Sequence, residues 1–92
     1  QGGLKISVGS SNGANNTAQW HFGRAAQITL FNSNEEAFKK IISDNYDAAV
    51  VPLDKNLKET YTVDDRTIRK VATTPVTARS DLVKIAIYKK DI

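Results

Sequence analysis

The chain has no cysteine and a single histidine, His21, among its 92 residues. Without cysteine there is no disulfide and no thiolate chemistry, and one imidazole excludes a zinc site built from His and Cys ligands. We therefore expect no metal and no cofactor. The same lack favours a reducing, cytoplasmic location, with a secreted mature protein as the alternative.

Long apolar runs are also missing. None approaches the roughly 20 residues of a membrane-spanning helix, so we expect no membrane partner. Hydrophobic residues make up 40% of the chain and charged residues 25%, which is the composition of a folding protein. This length predicts a single domain over residues 1–92, whose small core would be helped by oligomerisation.

The formal net charge is +3, and much of the excess lies near the carboxyl end, at Lys84, Lys89 and Lys90. Such charge attracts an anionic small molecule or nucleic acid, although a solvated surface is the more common reason for it. The aromatic residues are spread along the sequence and show no stacking platform. We therefore expect an anionic small molecule as the partner rather than nucleic acid.

Three strands are predicted in the first half of the chain. Residues 4–9 and residues 26–31 alternate between apolar and polar side chains, which is the period of a strand. Residues 48–51 are small and apolar without interruption, as in a strand covered on both faces, and Pro52 is expected to end the ladder.

Helices are predicted between these strands. One covers residues 17–22 and is closed by Gly23, and another covers residues 34–42 after a cap at Ser33 or Asn34. The first half is thus a β-α-β-α-β unit. Right-handed crossovers place its first strand between the second and the third in a parallel sheet.

The pattern is looser beyond residue 53. A short strand is predicted at residues 60–63, another at residues 67–76 that Pro75 interrupts, and a last one at residues 82–88. The predicted fold class is a small α/β sandwich with a parallel β-α-β-α-β core and a returning C-terminal strand.

A polar loop follows the first strand. It contains hydroxyl and amide side chains, and its glycines, Gly9 and Gly13, would let backbone N–H groups approach a ligand. The N-terminus of the next helix would add its positive end, so the loop is suited to a carboxylate or phosphate. An ordinary polar connection explains the same residues equally well. The loop residues assigned to the candidate site are Ser10, Ser11, Asn12, Gly13, Asn15 and Thr17.

No nucleophile–base arrangement is visible, so no catalytic residue is assigned. His21 lies beside Trp20 and Phe22 in the predicted helix, where a partly buried structural histidine is more common than a catalytic one. Asp54 is the best-placed acid because it follows the third strand, where ligands bind in open α/β sheets. Its alternative role is to cap a turn after Pro52.

The order of these parts resembles the first lobe of prephenate dehydratase over residues 4–56. The likeness rests on the polar glycine-containing loop, on Phe22-Gly23 at the helix end, and on the stretch from Asp47 through Val51-Pro52 to Asp54. It implies a periplasmic-binding-protein-like fold that holds its ligand between lobes. The family's Thr-Arg-Phe signature has no clean match, and Thr77-Ala78-Arg79 is the nearest counterpart, which adds Thr77 and Arg79 to the candidate site.

The favoured function is therefore that of a binding lobe without dehydratase activity. Its ligand would be a small anionic carboxylate, with an aromatic carboxylate as one possibility. The alternatives are a dehydratase-type enzyme that a partner or second copy completes, and a protein-interaction or assembly module. We also expect a homodimer with exchanged C-terminal segments, in which residues 55–65 act as the hinge. Its contact would use Leu57, Tyr61, Val63, Val71 and Val76.

Overall fold

The computed structural model describes residues 3–9, 12–73 and 83–91. These contain two α-helices, a 3-10 turn and six strands. In chain order they are β1 (Leu4–Val8), α1 (Asn12–Phe22), the 3-10 turn (Gly23–Ala25), β2 (Ala26–Leu30), α2 (Asn34–Ser43), β3 (Ala48–Pro52), β4 (Thr60–Val63), β5 (Arg66–Thr73) and β6 (Ile85–Lys90).

The strands form one mixed sheet in the order β2-β1-β3-β6-β5-β4. β1 pairs in parallel with both β2 and β3, so the predicted central place of the first strand is confirmed. β6 returns antiparallel to β3, and the β4–β5 hairpin continues the sheet beyond it. The predicted α/β class is confirmed.

The two helices cover opposite faces of the sheet. α1 packs over one core cluster that contains Ile6 and Val8, and α2 packs over another that contains Ile41 and Val51. β1 reaches both faces because its side chains alternate. All four residues from Ala48 to Val51 are buried, because β3 is covered by a helix on each face.

α1 begins at Asn12, five residues before the predicted helix at Thr17. Ala14, Thr17 and Ala18 are its buried residues, and their spacing is that of one helix face. The polar residues of the first turn concealed this start, because Asn and Gly are ordinary loop residues. Their low helix propensity costs little in a first turn, where the N–H groups have no intrahelical partner.

Pro52 is the last residue of β3, as predicted, although its missing N–H is not what ends the strand. Pro52 lies opposite Ile85, and the next N–H, of Leu53, donates to Lys84 O at 3.0 Å. The backbone polar groups of Val50 point towards β1, because the Val50 carbonyl accepts the Gly9 N–H. Residues two apart on a strand point the same way, so the Pro52 nitrogen also points towards β1. The missing N–H of Pro52 therefore points away from β6 and costs no bond to it.

β4 matches its prediction, and the described part of β5 starts at Arg66 rather than at residue 67. β6 starts at Ile85 instead of Leu82, which lies outside the described residues. The backbone N–H and C=O of Val83 bond to the Thr17 hydroxyl and not to a neighbouring strand.

The turn between β4 and β5 is formed by Asp64 and Asp65, at φ values of 49° and 68°. A two-residue hairpin turn with positive φ at both central positions is type I′, which favours Asn-Gly or Asp-Gly. Both aspartates are exposed, and the positive φ at each is strained because of its Cβ.

Asp65→Gly should therefore stabilise the chain by about 0.5–1 kcal/mol, since glycine removes that strain. Thermal and urea unfolding would measure the gain. Lys55→Gly is the matched control, because Lys55 has no positive φ and should lose stability. An equal loss in both variants would contradict the assigned turn.

Candidate functional site

Two parallel strands with connections on opposite faces create the natural ligand position of an open α/β sheet. β1 leads to α1 and to β2 on one side of it, while β3 lies on its other side after the connection through α2. Ligands bind outside the carboxyl ends of the strands at such a switch point. We call the side of the sheet where β1, β2 and β3 end the carboxyl edge.

Gly9 stands at this edge directly after β1. Its N–H donates to Val50 O at 2.8 Å, so it is not free to bind a ligand as the sequence predicted. A Cβ at Gly9 would lie 2.1 Å from Asn34 Oδ1 and 3.1 Å from Asn34 Cα. The glycine is needed because the first residue of α2 packs against the end of β1.

The start of α1 carries the predicted amide residues. Asn12 is exposed, and Gly13 and Asn15 are half-buried. The first turn of α1 contains no acidic residue, so no side chain of its own neutralises the positive end of the helix. The N–H groups at the very start of a helix, here those of Asn12 and Gly13, have no intrahelical acceptor and can bind an anion.

α2 differs at its own N-terminus. Ser33 Oγ accepts the Glu36 N–H at 3.1 Å, and Glu36 Oε1 accepts the Asn32 N–H at 3.1 Å. Glu35 adds a second carboxylate to the same turn. The dipole of α2 is thus already compensated, which leaves α1 as the helix end suited to an external anion.

Thr17 is fully buried, and its hydroxyl is used within the chain. Thr17 Oγ1 accepts the Val83 N–H at 3.1 Å and lies 2.8 Å from Val83 O, to which it can donate. Gly13 O is a second acceptor within reach, at 3.1 Å. The residue fixes α1 to the segment before β6, and the geometry gives its hydroxyl a structural task.

Asp54 lies in an exposed turn after β3. Its Oδ1 accepts the Asn56 N–H at 2.9 Å, and its carbonyl accepts the Leu57 N–H at 3.1 Å. This is the turn-capping role weighed from the sequence. The Asp54 side chain is nevertheless exposed at the carboxyl edge.

Four predicted site residues, Ser10, Ser11, Thr77 and Arg79, lie outside the described residues. Within the described part, the α1 segment and the end of β3 both contact the residues just before β6. Thr17 is bonded to Val83, and Leu53 is bonded to the adjacent Lys84. The start of β6 therefore joins the α1 segment to the end of β3.

Three residues at this junction were not assigned to the site from the sequence. Lys84 is an exposed cation, and Leu53 and Val83 are large apolar side chains that are 38% and 42% exposed. A signal for Lys84 exists in the sequence, since it interrupts an apolar run just where the returning strand starts. A strand antiparallel to β3 must start at the carboxyl edge, so the topology places that lysine there.

A separate open cavity of about 330 Å³ lies between α2 and β4. Its lining includes the stacked rings of Phe38 and Tyr61, whose centroids are 4.8 Å apart, and the charges of Glu35, Lys39 and Asp64. It contains none of the predicted site residues. The aromatic residues are thus brought together by the fold although they are far apart in the sequence.

Within residues 3–9, 12–73 and 83–91, no group of three His, Asp or Glu side chains is arranged to hold a metal ion. In that same part of the chain, neither helix is long and apolar enough to cross a membrane. His21 is exposed on α1 and contacts the Phe22 ring edge-on, with centroids 4.9 Å apart, so the expected partial burial of His21 is wrong.

Comparison with protein-family models, with curated proteins and with solved structures finds no match to this chain. The resemblance to prephenate dehydratase stays a prediction.

Proposed function

We propose that this chain is a binding lobe for a small anionic carboxylate, which binds at the carboxyl edge between β1 and β3. The observation that carries the proposal is the contrast between the two helix ends. The first turn of α1 lacks an acidic residue, whereas that of α2 has Glu35 and Glu36. An anion at this edge is therefore drawn to α1.

Lys84 supplies a full positive charge at the same edge of the sheet, where its pairing with Leu53 and the alternation along the strand place it on the α2 face. Its backbone is tied to Leu53, and its neighbour Val83 is tied to Thr17 of α1. A carboxylate between the α1 N-terminus and Lys84 would gain charge-assisted hydrogen bonds, which are stronger than neutral ones. Lys84 is a firmer candidate than Asp54, whose charge repels a carboxylate.

The apolar part of the ligand would contact Leu53 and Val83. Both side chains are exposed at the carboxyl edge, Val83 on the α1 face and Leu53 on the α2 face, and burying them favours a ligand with an aromatic or aliphatic body. This arrangement supports an aromatic carboxylate over inorganic phosphate.

The finer fold proposal is a periplasmic-binding-protein-like lobe related to prephenate dehydratase. The β2-β1-β3 order, the helices on opposite faces and the antiparallel β6 support it. We propose a binding role rather than catalysis, because the hydroxyl of Thr17 and the carboxylate of Asp54, both in the candidate site, bond to backbone groups and not to each other or to a base.

Asn12→Asp tests the helix end directly. The new carboxylate should stabilise α1 by about 0.3–1 kcal/mol through the helix dipole. It should also weaken carboxylate binding about ten-fold, equivalent to about 1.4 kcal/mol, by repulsion. Calorimetric titration with phenylpyruvate and with sulfate, together with urea unfolding, measures the two effects.

The matched control is Asn16→Asp, which makes the same change at an exposed position one turn further along α1. Its effect on binding should be small, because the dipole effect falls off within the first turn. Lys84→Gln should weaken binding, while Lys89→Gln, near the far end of β6, should not. Equal binding by wild type, Asn12→Asp and Lys84→Gln would overturn the proposed site.

A further inference from the structure

The free edge of β2 is the least protected part of the sheet. Its five residues, Ala26–Leu30, contain no charge and no proline, and they pair with β1 in unbroken register. Natural proteins block exposed edges with such charges, prolines or bulges. The other edge strand, β4, is a residue shorter and lies between Glu59 and Asp64.

The outward backbone groups of β2 can be assigned from one hydrogen bond. Phe31 donates its N–H to Val8 O at 2.8 Å, so Phe31 faces β1. Backbone groups alternate along a strand, so Ala26, Ile28 and Leu30 direct their N–H and C=O groups away from the sheet. Among the described residues, the outward groups of Ile28 and Leu30 make no hydrogen bond, whereas the 3-10 turn before β2 uses the Ala26 N–H.

We propose that β2 pairs antiparallel with β2 of a second copy, so that the sheets of two protomers become continuous. The pairing is centred on Ile28, which faces Ile28 of the second copy. In this register each of the three outward residues faces an outward residue, so the N–H and C=O of Ile28 and the N–H of Leu30 all gain a partner. A two-fold axis that passes between the two Ile28 residues, perpendicular to the sheet, relates the copies.

The side chains fit this register. Leu30 is 41% exposed and protrudes at one end of β2, and the register places it opposite Ala26 of the second copy. Ala26 lines a surface cavity of about 320 Å³ together with Gln19, Arg24 and Ile28. The alternation along β2 puts Ala26, Ile28 and Leu30 on the same face of the sheet, so Leu30 of one copy can enter the cavity of the other.

Charge is complementary at the ends of the paired strands. Arg24 is exposed just before β2, and the register brings it near Asn32 of the second copy. Asn32 N–H is bound by the carboxylate of Glu36, so a negative group lies where Arg24 arrives. The two-fold axis repeats this pair, which adds specificity for the second copy over other extended segments.

This contact differs from the exchange of C-terminal segments expected from the sequence. Leu57, Tyr61 and Val63 are partly buried against the core of their own chain, which leaves little of them for a partner. Val71 is 51% exposed, and Val76 lies outside the described residues. The β2 edge requires no exchange of segments.

Disulfide cross-linking tests the register, because the chain contains no cysteine of its own. Gln27 of one copy would face Thr29 of the other in a non-hydrogen-bonded pair, with Cα atoms about 4.5 Å apart, which suits a disulfide. Both side chains are exposed. We expect a mixture of Gln27→Cys and Thr29→Cys chains to form a covalent heterodimer on mild oxidation, faster than either variant alone forms a homodimer.

Light scattering and sedimentation over a concentration series test the association itself. Wild type should approach twice the protomer mass at submillimolar concentration. Leu30→Pro should remain monomeric, since it removes an outward N–H, and Thr62→Pro on the outer side of β4 should still dimerise. Circular dichroism checks that each variant is folded. If Leu30→Pro does not fold, the cross-linking of Gln27→Cys with Thr29→Cys decides whether β2 forms the contact.

A monomeric wild type at the highest concentration, together with no preferential cross-linking in the mixture, would overturn the proposal. A dimer lost in Thr62→Pro and kept in folded Leu30→Pro would also overturn it, by assigning the contact to β4.

Discussion

Tyr88→Ala is expected to lower the free energy of unfolding by about 3–5 kcal/mol, the range for removing a buried aromatic ring. Tyr88 is fully buried in β6, and its ring contacts Phe38 at 4.9 Å and Tyr61 at 5.6 Å between centroids. Its hydroxyl donates to Lys58 O, which ties the segment before β4 to the sheet. Urea unfolding measures the loss.

Tyr46→Ala is the control for this change. Tyr46 is half-buried and lies outside the Tyr88 cluster, against Phe31 and under the Lys5 ammonium. Its loss should be clearly smaller. Equal losses in the two variants would contradict the central place of Tyr88 in the core.

The Tyr88 hydroxyl also predicts a pH dependence. Burial, with the neighbouring Tyr61 and Glu59, raises the pKa of Tyr88 from 10.0 to about 12. The folded state therefore holds this proton more tightly than the unfolded state. The stabilisation is complete below pH 10 and is lost as the pH rises from 10 towards 12.

Tyr88→Phe should retain most of the packing and lose the hydroxyl bond, at a cost of about 1–2 kcal/mol near neutral pH. The loss of stability between pH 10 and about 12 should be smaller in this variant than in wild type. Parallel unfolding curves against pH would show that another group controls the alkaline transition.

Thr17→Val is expected to cost about 1–3 kcal/mol, because the isosteric change leaves the backbone of Val83 without its side-chain partner. The Thr17 hydroxyl bonds both the N–H and the C=O of Val83. Urea unfolding measures the cost, and hydrogen exchange of the Val83 amide reports the local effect. Thr17→Ser keeps the hydroxyl and should protect that amide.

The same change bears on the proposed site. If Val83 is released from α1, the segment that carries Lys84 is no longer fixed to that helix. Thr17→Val should therefore weaken carboxylate binding even where the chain stays folded, while Thr17→Ser should bind as wild type. An unprotected Val83 amide with full binding would contradict the positioning role of this residue.

Local patterns in the sequence were sufficient for the parallel half of the fold. The alternation in β1 and β2, the apolar run of β3 and the Ser33 cap each predicted an element that the structure contains. The right-handed crossover rule then predicted the strand order. Helix and strand periods are local properties, so a single sequence can reveal them.

The start of α1 and the turn at Asp64-Asp65 were not predicted because their residues are common in other settings. Asn and Gly in a first helical turn look like a loop, and two aspartates look like solvated charge. The Phe38, Tyr61 and Tyr88 cluster was missed for another reason. These residues come from separate elements, and only the arrangement of the sheet brings them together.

For the candidate site, the carboxyl edge followed from the strand order, and the choice of the first helix's N-terminal end followed from helix polarity, although the residue at which α1 begins did not. The roles of Gly9 and Thr17 did not, since their packing against Asn34 and Val83 depends on contacts between distant segments. Lys84 was missed because its place at the edge depends on β6 lying antiparallel to β3.

The most direct test of the central claim is a two-dimensional NMR titration of the wild-type chain with phenylpyruvate, with sulfate as the second probe. The account predicts that the largest saturable shifts occur at the backbone amides of Asn12, Gly13 and Lys84. Shifts confined to Glu35, Phe38 and Tyr61 around the other cavity, or no saturable shift with either anion, would contradict it.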